Sequence, residues 1–199
     1  LYEKRQDSVG LADSFNSLGS IYYFQGDFDK AKAYYEKGLR IREKRADRRA
    51  LANSLNNMGA VNLKLGNYTT ALQYHRSSLS IWEGIGSISG QALTLEYIGN
   101  CLSSEGKFEE ALVIFLRSDS VAEKIKDERT GAHLKIEIGQ LMWGLQRYHE
   151  SVRWCEEAYQ RSTQLGFKQE LQRSCHCLFK AYLALNNSEK ALVNYQRFI

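Results

Sequence analysis

Three asparagines, Asn16, Asn56 and Asn100, lie inside stretches of helical spacing, where asparagine is not favoured by propensity. A side-chain amide both donates and accepts, which matches the alternating N–H and C=O groups of an extended peptide backbone. The chemistry they offer is recognition. Other reactive residues add little. His133, His176 and Cys177 are metal-ligating types, but no fourth ligand stands at a suitable spacing, so no metal site is expected. Cys101, Cys155, Cys175 and Cys177 form no CxxC pair and read as reduced, buried thiols. Cys175 and Cys177 point to different faces of a helix and cannot bridge locally. The acidic pairs Glu109–Glu110 and Glu156–Glu157 fit exposed helix faces. With no nucleophile–base set, phosphate loop or HExxH motif, neither catalysis nor a cofactor is expected.

The composition narrows the choice of partner. Of 199 residues, 27 are Lys or Arg and 23 are Asp or Glu, a net charge of +4 that does not call for nucleic acid or an anionic membrane. Apolar residues make up 43%, enough to bury a core, yet no run reaches the roughly eighteen residues of a membrane span. Proline is absent, which favours long helices. The densest basic run, Arg40, Arg42, Lys44, Arg45, Arg48 and Arg49, is interleaved with Glu43 and Asp47. It falls at a helix end, where cations suit the dipole, and lacks the interleaved aromatics of a single-strand nucleic-acid site.

The elements that must position these residues repeat. Gly19, Gly59, Gly99 and Gly139 are forty residues apart, as are Gly26, Gly66 and Gly106, continued by Gln146 and Asn186. Phe28, Tyr68, Phe108 and Tyr148 keep the interval, and so do Ala31, Ala71, Ala111, Ser151 and Ala191. Within the first unit, Phe15, Leu18, Gly19 and Tyr22 form one helical stripe and Phe28, Ala31, Tyr35 and Leu39 a second, parted by Gln25-Gly26-Asp27. Asp27, Asn67 and Asn187 are placed to cap the second helices, and the glycine before the cap can end the first. Each unit is then a hairpin of helices of about 17 residues, near 25 Å long at 1.5 Å per residue. A mid-helix Gly19 costs about 1 kcal/mol against Ala, which makes sense where a facing helix comes close, with Ala31 as the second small surface. Such a hairpin cannot cover its own apolar face, so neighbours must stack. The expectation is one array over 1–199 with repeats at 9–46, 47–86, 87–126, 127–166 and 167–199. Both ends read as cut from a longer protein.

The segments 17–39, 57–72 and 97–112, with their Leu-Gly, Met-Gly or Ile-Gly, Gly-x-Phe/Tyr and small-residue signature, resemble the tetratricopeptide repeat. The forty-residue period is similar to LGN/Pins-type polarity adaptors and to the amino-terminal arrays of bacterial sensor kinases and regulators. The resemblance implies an all-α, right-handed α-solenoid of about five helical hairpins. Two departures stand out. Lys135 takes the place of Phe15, Leu55, Leu95 and Cys175, which predicts a looser contact or a snorkelling side chain, and Phe179 replaces the repeat glycine, so the fifth hairpin must pack differently.

The resemblance also implies that the first helix of each pair lines a concave groove. The stripe beside the core stripe then lines it with Asp13, Asn16, Ser20 and Tyr23; Asn53, Asn56, Asn57 and Leu63; Leu93, Glu96, Asn100 and Ser103; His133, Ile136, Gln140 and Trp143; and Arg173, His176 and Lys180. A ladder of amides would hold a peptide backbone, Tyr23 and Trp143 would add aromatic area, and the basic end at Arg173, His176 and Lys180 would take an acidic group of the partner. The leading expectation is a non-catalytic module that binds a protein or peptide in this groove, within a larger signalling protein. Self-association as a homo-oligomer is the alternative, with regulatory nucleic-acid binding below it. No nucleic acid and no membrane contact are expected. Free thiols point to the cytoplasm, against the alternative of a periplasmic or extracytoplasmic part of a membrane-anchored sensor.

Overall fold

The computed structural model describes the backbone of residues 2–199 and the side chains of residues 9–199. Among the described residues there are ten helices and no strand: α1 (Tyr2–Phe24), α2 (Phe28–Glu43), α3 (Arg48–Lys64), α4 (Tyr68–Gly84), α5 (Ile88–Ser104), α6 (Phe108–Lys124), α7 (Glu128–Gly144), α8 (Tyr148–Leu165), α9 (Lys168–Ala184) and α10 (Ser188–Phe198). The protein is all-α, built from stacked helical repeats.

The turns follow from local chemistry at forty-residue intervals. Gly26, Gly66 and Gly106 take positive φ after a first helix, and Gln146 and Asn186 adopt the same conformation at the equivalent places. The next residue then donates its N–H back to the last helical turn, as Asp27 does to Tyr22 and Asn187 to Tyr182, which satisfies carbonyls the helix end would leave open. The carboxylates of Asp27, Asp47 and Asp127 and the amide of Asn187 accept N–H groups from the first turn that follows. Asn67 stands at its cap position without such a side-chain bond.

The helices gather into two compact units, Leu1–Glu105 with α1 to α5 and Gly106–Ile199 with α6 to α10. In unit 1, α1 pairs with α2 and α3 with α4, while α2 packs on α3 and α4 on α5. Ala31, Tyr35 and Leu39 of α2 join Met58 and Val61 of α3 in one buried cluster, each large side chain worth about 1.5–3 kcal/mol. In unit 2, α7 pairs with α8 and α9 with α10, with α6 on α7 and α8 on α9. Its core joins Cys155 and Ala158 of α8 to Leu178 and Tyr182 of α9.

The repeat glycines make room for side chains. A Cβ on Gly19 would lie 2.5 Å from the Tyr35 ring, and one on Gly59 2.4 Å from the His75 ring. The close neighbour is thus an aromatic or imidazole ring of the second helix, where a small surface at Ala31 was expected. Phe179, at the glycine position of the fifth hairpin, meets Tyr195 at 5.4 Å between ring centroids.

Two expectations are corrected. Lys135 neither loosens its contact nor snorkels: it is buried, and its ammonium group donates to both carboxylate oxygens of buried Asp119 on α6, at 3.2 and 2.9 Å. A buried cation needs such a partner, and Asp119 stands where Leu39 and Leu79 stand in unit 1. Cys155 and Cys177 are joined by a disulfide between α8 and α9, so only Cys101 and Cys175 remain free thiols. The thiol argument for a reducing compartment loses half its basis. Among the described residues no helix is long and apolar enough to cross a membrane.

Candidate functional site

In unit 1 the expected groove amides divide into committed and accessible groups. Asn16 turns its amide oxygen to the Arg42 guanidinium, at 2.7 and 3.0 Å, with Ser54 Oγ 3.3 Å away. Arg42, drawn out of the basic run, also donates to Ala50 O, Ser54 Oγ and the Asp13 carboxylate. It ties α1, α2 and α3 together. One repeat on, Asn56 is buried; its amide donates to Thr94 Oγ1 over 2.8 Å and its oxygen faces His75 Nδ1 at 3.0 Å. Asn16–Ser54 and Asn56–Thr94 share one register, thirty-eight residues apart. Asn56 therefore fixes neighbouring first helices, and the expectation that it meets a peptide is corrected: a sealed amide has no free donor or acceptor to offer.

The remaining unit-1 residues keep partial access. Asn53 is exposed, and Asn57, Glu96 and Asn100 are half-buried. Ser20 bonds the Asn16 carbonyl and pairs with the Tyr35 hydroxyl. Tyr23 meets Phe24 and Phe28 edge-on, and burial raises its phenol pKa. His75 is fully buried, and burial lowers its pKa to about 4, so the ring is neutral at pH 7.

Of the seven unit-2 residues expected in the groove, three stand exposed on α7 and α9. Gln140 and Trp143 are one turn apart on α7, Lys180 stands on α9, and all three are exposed. The Lys180 ammonium lies 5.7 Å from the centroid of the Trp143 indole, a cation–π contact across the two helices. Leu183, one turn beyond Lys180 and exposed, adds apolar area; it stands forty residues after Trp143, and that repeat spacing is the signal that could have found it.

Arg173 does not stand open. Its guanidinium reaches the Glu137 carboxylate and His133 Nδ1, both on α7. His176 stacks on Phe198 at 4.7 Å, and burial, then the neighbouring Lys180 charge, lowers its pKa. Ile136, expected in the groove, is fully buried in the unit-2 core. His133, His176 and Cys177 do not converge, since Cys177 is bonded to Cys155, His133 faces Arg173 and His176 faces Phe198.

These hairpins and their glycine-to-ring packing define a helical-repeat protein, and the family follows. Residues 12–45 and 50–124 each match a model of the tetratricopeptide repeat, and the chain belongs to that family. No curated protein matches its sequence. Among solved structures it is similar to BtubC (BKLC) from P. vanneervenii, with 17% identity and a TM-score of 0.85 over 99% of this chain and 82% of that one. It is also similar to aspartyl phosphate phosphatase F from Bacillus subtilis, with 18% identity and a TM-score of 0.83 over 94% of this chain and 49% of that one. The Rap conjugation gene regulator of plasmid pLS20, solved in complex with the Phr* peptide, shares 14% identity and a TM-score of 0.83 over all of this chain and 55% of that one. The chain thus spans about half the length of the last two proteins, and at these identities the likeness is one of fold.

Proposed function

We propose that this protein is a peptide-holding interaction module, with its binding face on α7 and α9 of unit 2. One observation carries the reading: Trp143, Gln140, Lys180 and Leu183 lie uncovered on adjacent helices. An indole and a leucine offer apolar area, an amide offers backbone hydrogen bonds, and an ammonium offers charge. The fold likeness to a regulator solved with a bound peptide supports the same class of partner.

The charge on this face sets the preferred peptide. Glu137 offsets Arg173, and burial with the Lys180 charge lowers the His176 pKa, so Lys180 is a cation that a partner would meet. An acidic side chain or terminal carboxylate would seat beside it, with an apolar residue against Trp143 and Leu183. The work of such a protein is recognition and positioning within a larger signalling polypeptide, without chemistry of its own.

Panning a random-peptide display library on the immobilised protein tests this, with the Trp143→Ala, Lys180→Ala double variant as the comparison surface. The expected outcome is a family of peptides that pair an acidic with an apolar residue and are retained by the wild type alone. Peptides retained equally by both surfaces would overturn the assignment of the face.

A further inference from the structure

One position of the second helices is large and apolar or aromatic in four repeats, as Tyr34, Tyr74, Ile114 and Trp154, and is Asn194 in the fifth. In the first hairpin Tyr34 stacks on Tyr22 of the facing helix, with ring centroids 5.4 Å apart and planes tilted by 4°. The Lys30 ammonium group lies 5.3 Å from the Tyr22 centroid. The fifth hairpin keeps two of these three groups: Tyr182 stands for Tyr22, and Lys190, in the place of Lys30, lies 5.1 Å from the Tyr182 centroid. The second ring is missing. Beside Tyr182 and Asn194, helices α8, α9 and α10 bound an open cavity of about 410 Å³. Ligand sites commonly measure about 300–1,000 Å³.

The lining says what would fit. Asn194 is 5% exposed; its amide donates to the Lys190 carbonyl over 2.8 Å, and its oxygen meets no partner among the described residues. A buried acceptor left unpaired is costly, so a donor is wanted there. The charges around the cavity balance, Glu156 and Glu189 against Lys190 and Arg197. Glu156 accepts from the Tyr182 hydroxyl and Arg197 lies over the Tyr159 ring, so a neutral ligand suits the site. We infer that the cavity binds a neutral, planar heteroaromatic molecule with an amino group, the chemistry of an aminated nucleobase. Its ring lies on Tyr182 as Tyr34 lies on Tyr22, and its amino group donates to the Asn194 oxygen. This face looks back into the stack: Tyr74, the α4 counterpart of Asn194, packs against the cluster of α2 and α3. A repeat stacked on α10 as α3 stacks on α2 would meet Tyr195 and Ile199, the counterparts of Tyr35 and Leu39, and neither lines the cavity. The inference stands apart from the peptide reading, since the cavity shares no residue with the Trp143 and Lys180 face.

Calorimetric titration of the full chain with adenine tests it, with purine, which lacks the amino group, as the comparison. Adenine is expected to bind at a single site, at least threefold more tightly than purine. Asn194→Tyr puts back the ring that Tyr34 supplies in the first hairpin and should weaken adenine at least tenfold. Asn194→Leu keeps the space and removes the amide, so adenine should fall to the affinity of purine. Circular dichroism checks that each variant keeps its helices, and the Leu variant decides the matter if the Tyr variant does not fold. A wild type that takes up no adenine overturns the inference, as does one that binds purine equally well. So does a folded Asn194→Tyr with undiminished affinity, or a preference for adenine that survives in Asn194→Leu.

Discussion

The Trp143 indole and the Lys180 ammonium group meet 5.7 Å apart across α7 and α9, and both side chains are exposed. A second relationship, Asn56 donating to Thr94 inside unit 1, uses the polar group the sequence most invites a reader to assign to a ligand. The first leaves its groups open to a partner and the second spends them on the stack. That difference gives opposite expectations for mutation.

Asn56→Ala should weaken folding. It leaves Thr94 and His75 without their buried partner, at a cost of about 1–3 kcal/mol. Urea denaturation should show a lower midpoint with an unchanged slope, while peptide affinity at low temperature stays at the wild-type value.

His75 should make the stability of unit 1 depend on pH. Its pKa falls from the ordinary 6.5 to about 4 in the folded state, so the unfolded chain binds the extra proton first as pH drops. Stability is fully present above about pH 6.5 and declines as pH falls towards 4, by about 3 kcal/mol in all. The ring has Asn56 on Nδ1 and Tyr97 at 5.3 Å, neither of which carries a charge that would hold the protonated ring. Thermal melts at pH 7 and pH 4.5 should diverge less in His75→Gln than in the wild type.

Legibility in the sequence followed the repeat. Turn glycines, caps and the two stripes lie within one unit of forty, so their period announces them, and the hairpins appear as expected. Asn56 was misplaced because its partner, Thr94, is in the next repeat at a thirty-eight-residue offset, which single-unit spacing does not display. The Cys155–Cys177 disulfide was hidden for the same reason: one sulfur belongs to a second helix and the other to the following first helix. Trp143 and Lys180 were legible as exposed because both sit on the polar side of a clear stripe. That Glu137 and His133 would engage Arg173 was not, since ion pairing depends on rotamers that spacing leaves free.

Lys135 and Asp119 should behave as a unit. Lys135→Ala or Asp119→Ala strands a buried charge and should cost about 3–5 kcal/mol. The double variant Lys135→Leu, Asp119→Leu installs the residues that Leu95 and Leu79 supply in unit 1 and should recover most of that loss. Chemical denaturation of the two singles and the double completes the cycle, and additive losses would contradict the pairing.

The disulfide between Cys155 and Cys177 closes a loop of 22 residues, and its reduction should lower stability by about 3 kcal/mol. Peptide mapping without reductant should recover the two cysteines linked, with Cys101 and Cys175 alkylated only after unfolding. Both free thiols are buried, and burial raises the Cys101 pKa to about 12, which keeps it unreactive.

The peptide-holding face is tested most directly by the dissociation constant of one selected peptide, measured by fluorescence anisotropy for the wild type, Trp143→Ala and Asn56→Ala under conditions where all three are folded. A weakening of about tenfold or more for Trp143→Ala, near 1.4 kcal/mol, with Asn56→Ala unchanged, is the predicted result. Equal affinity for the wild type and Trp143→Ala would contradict it.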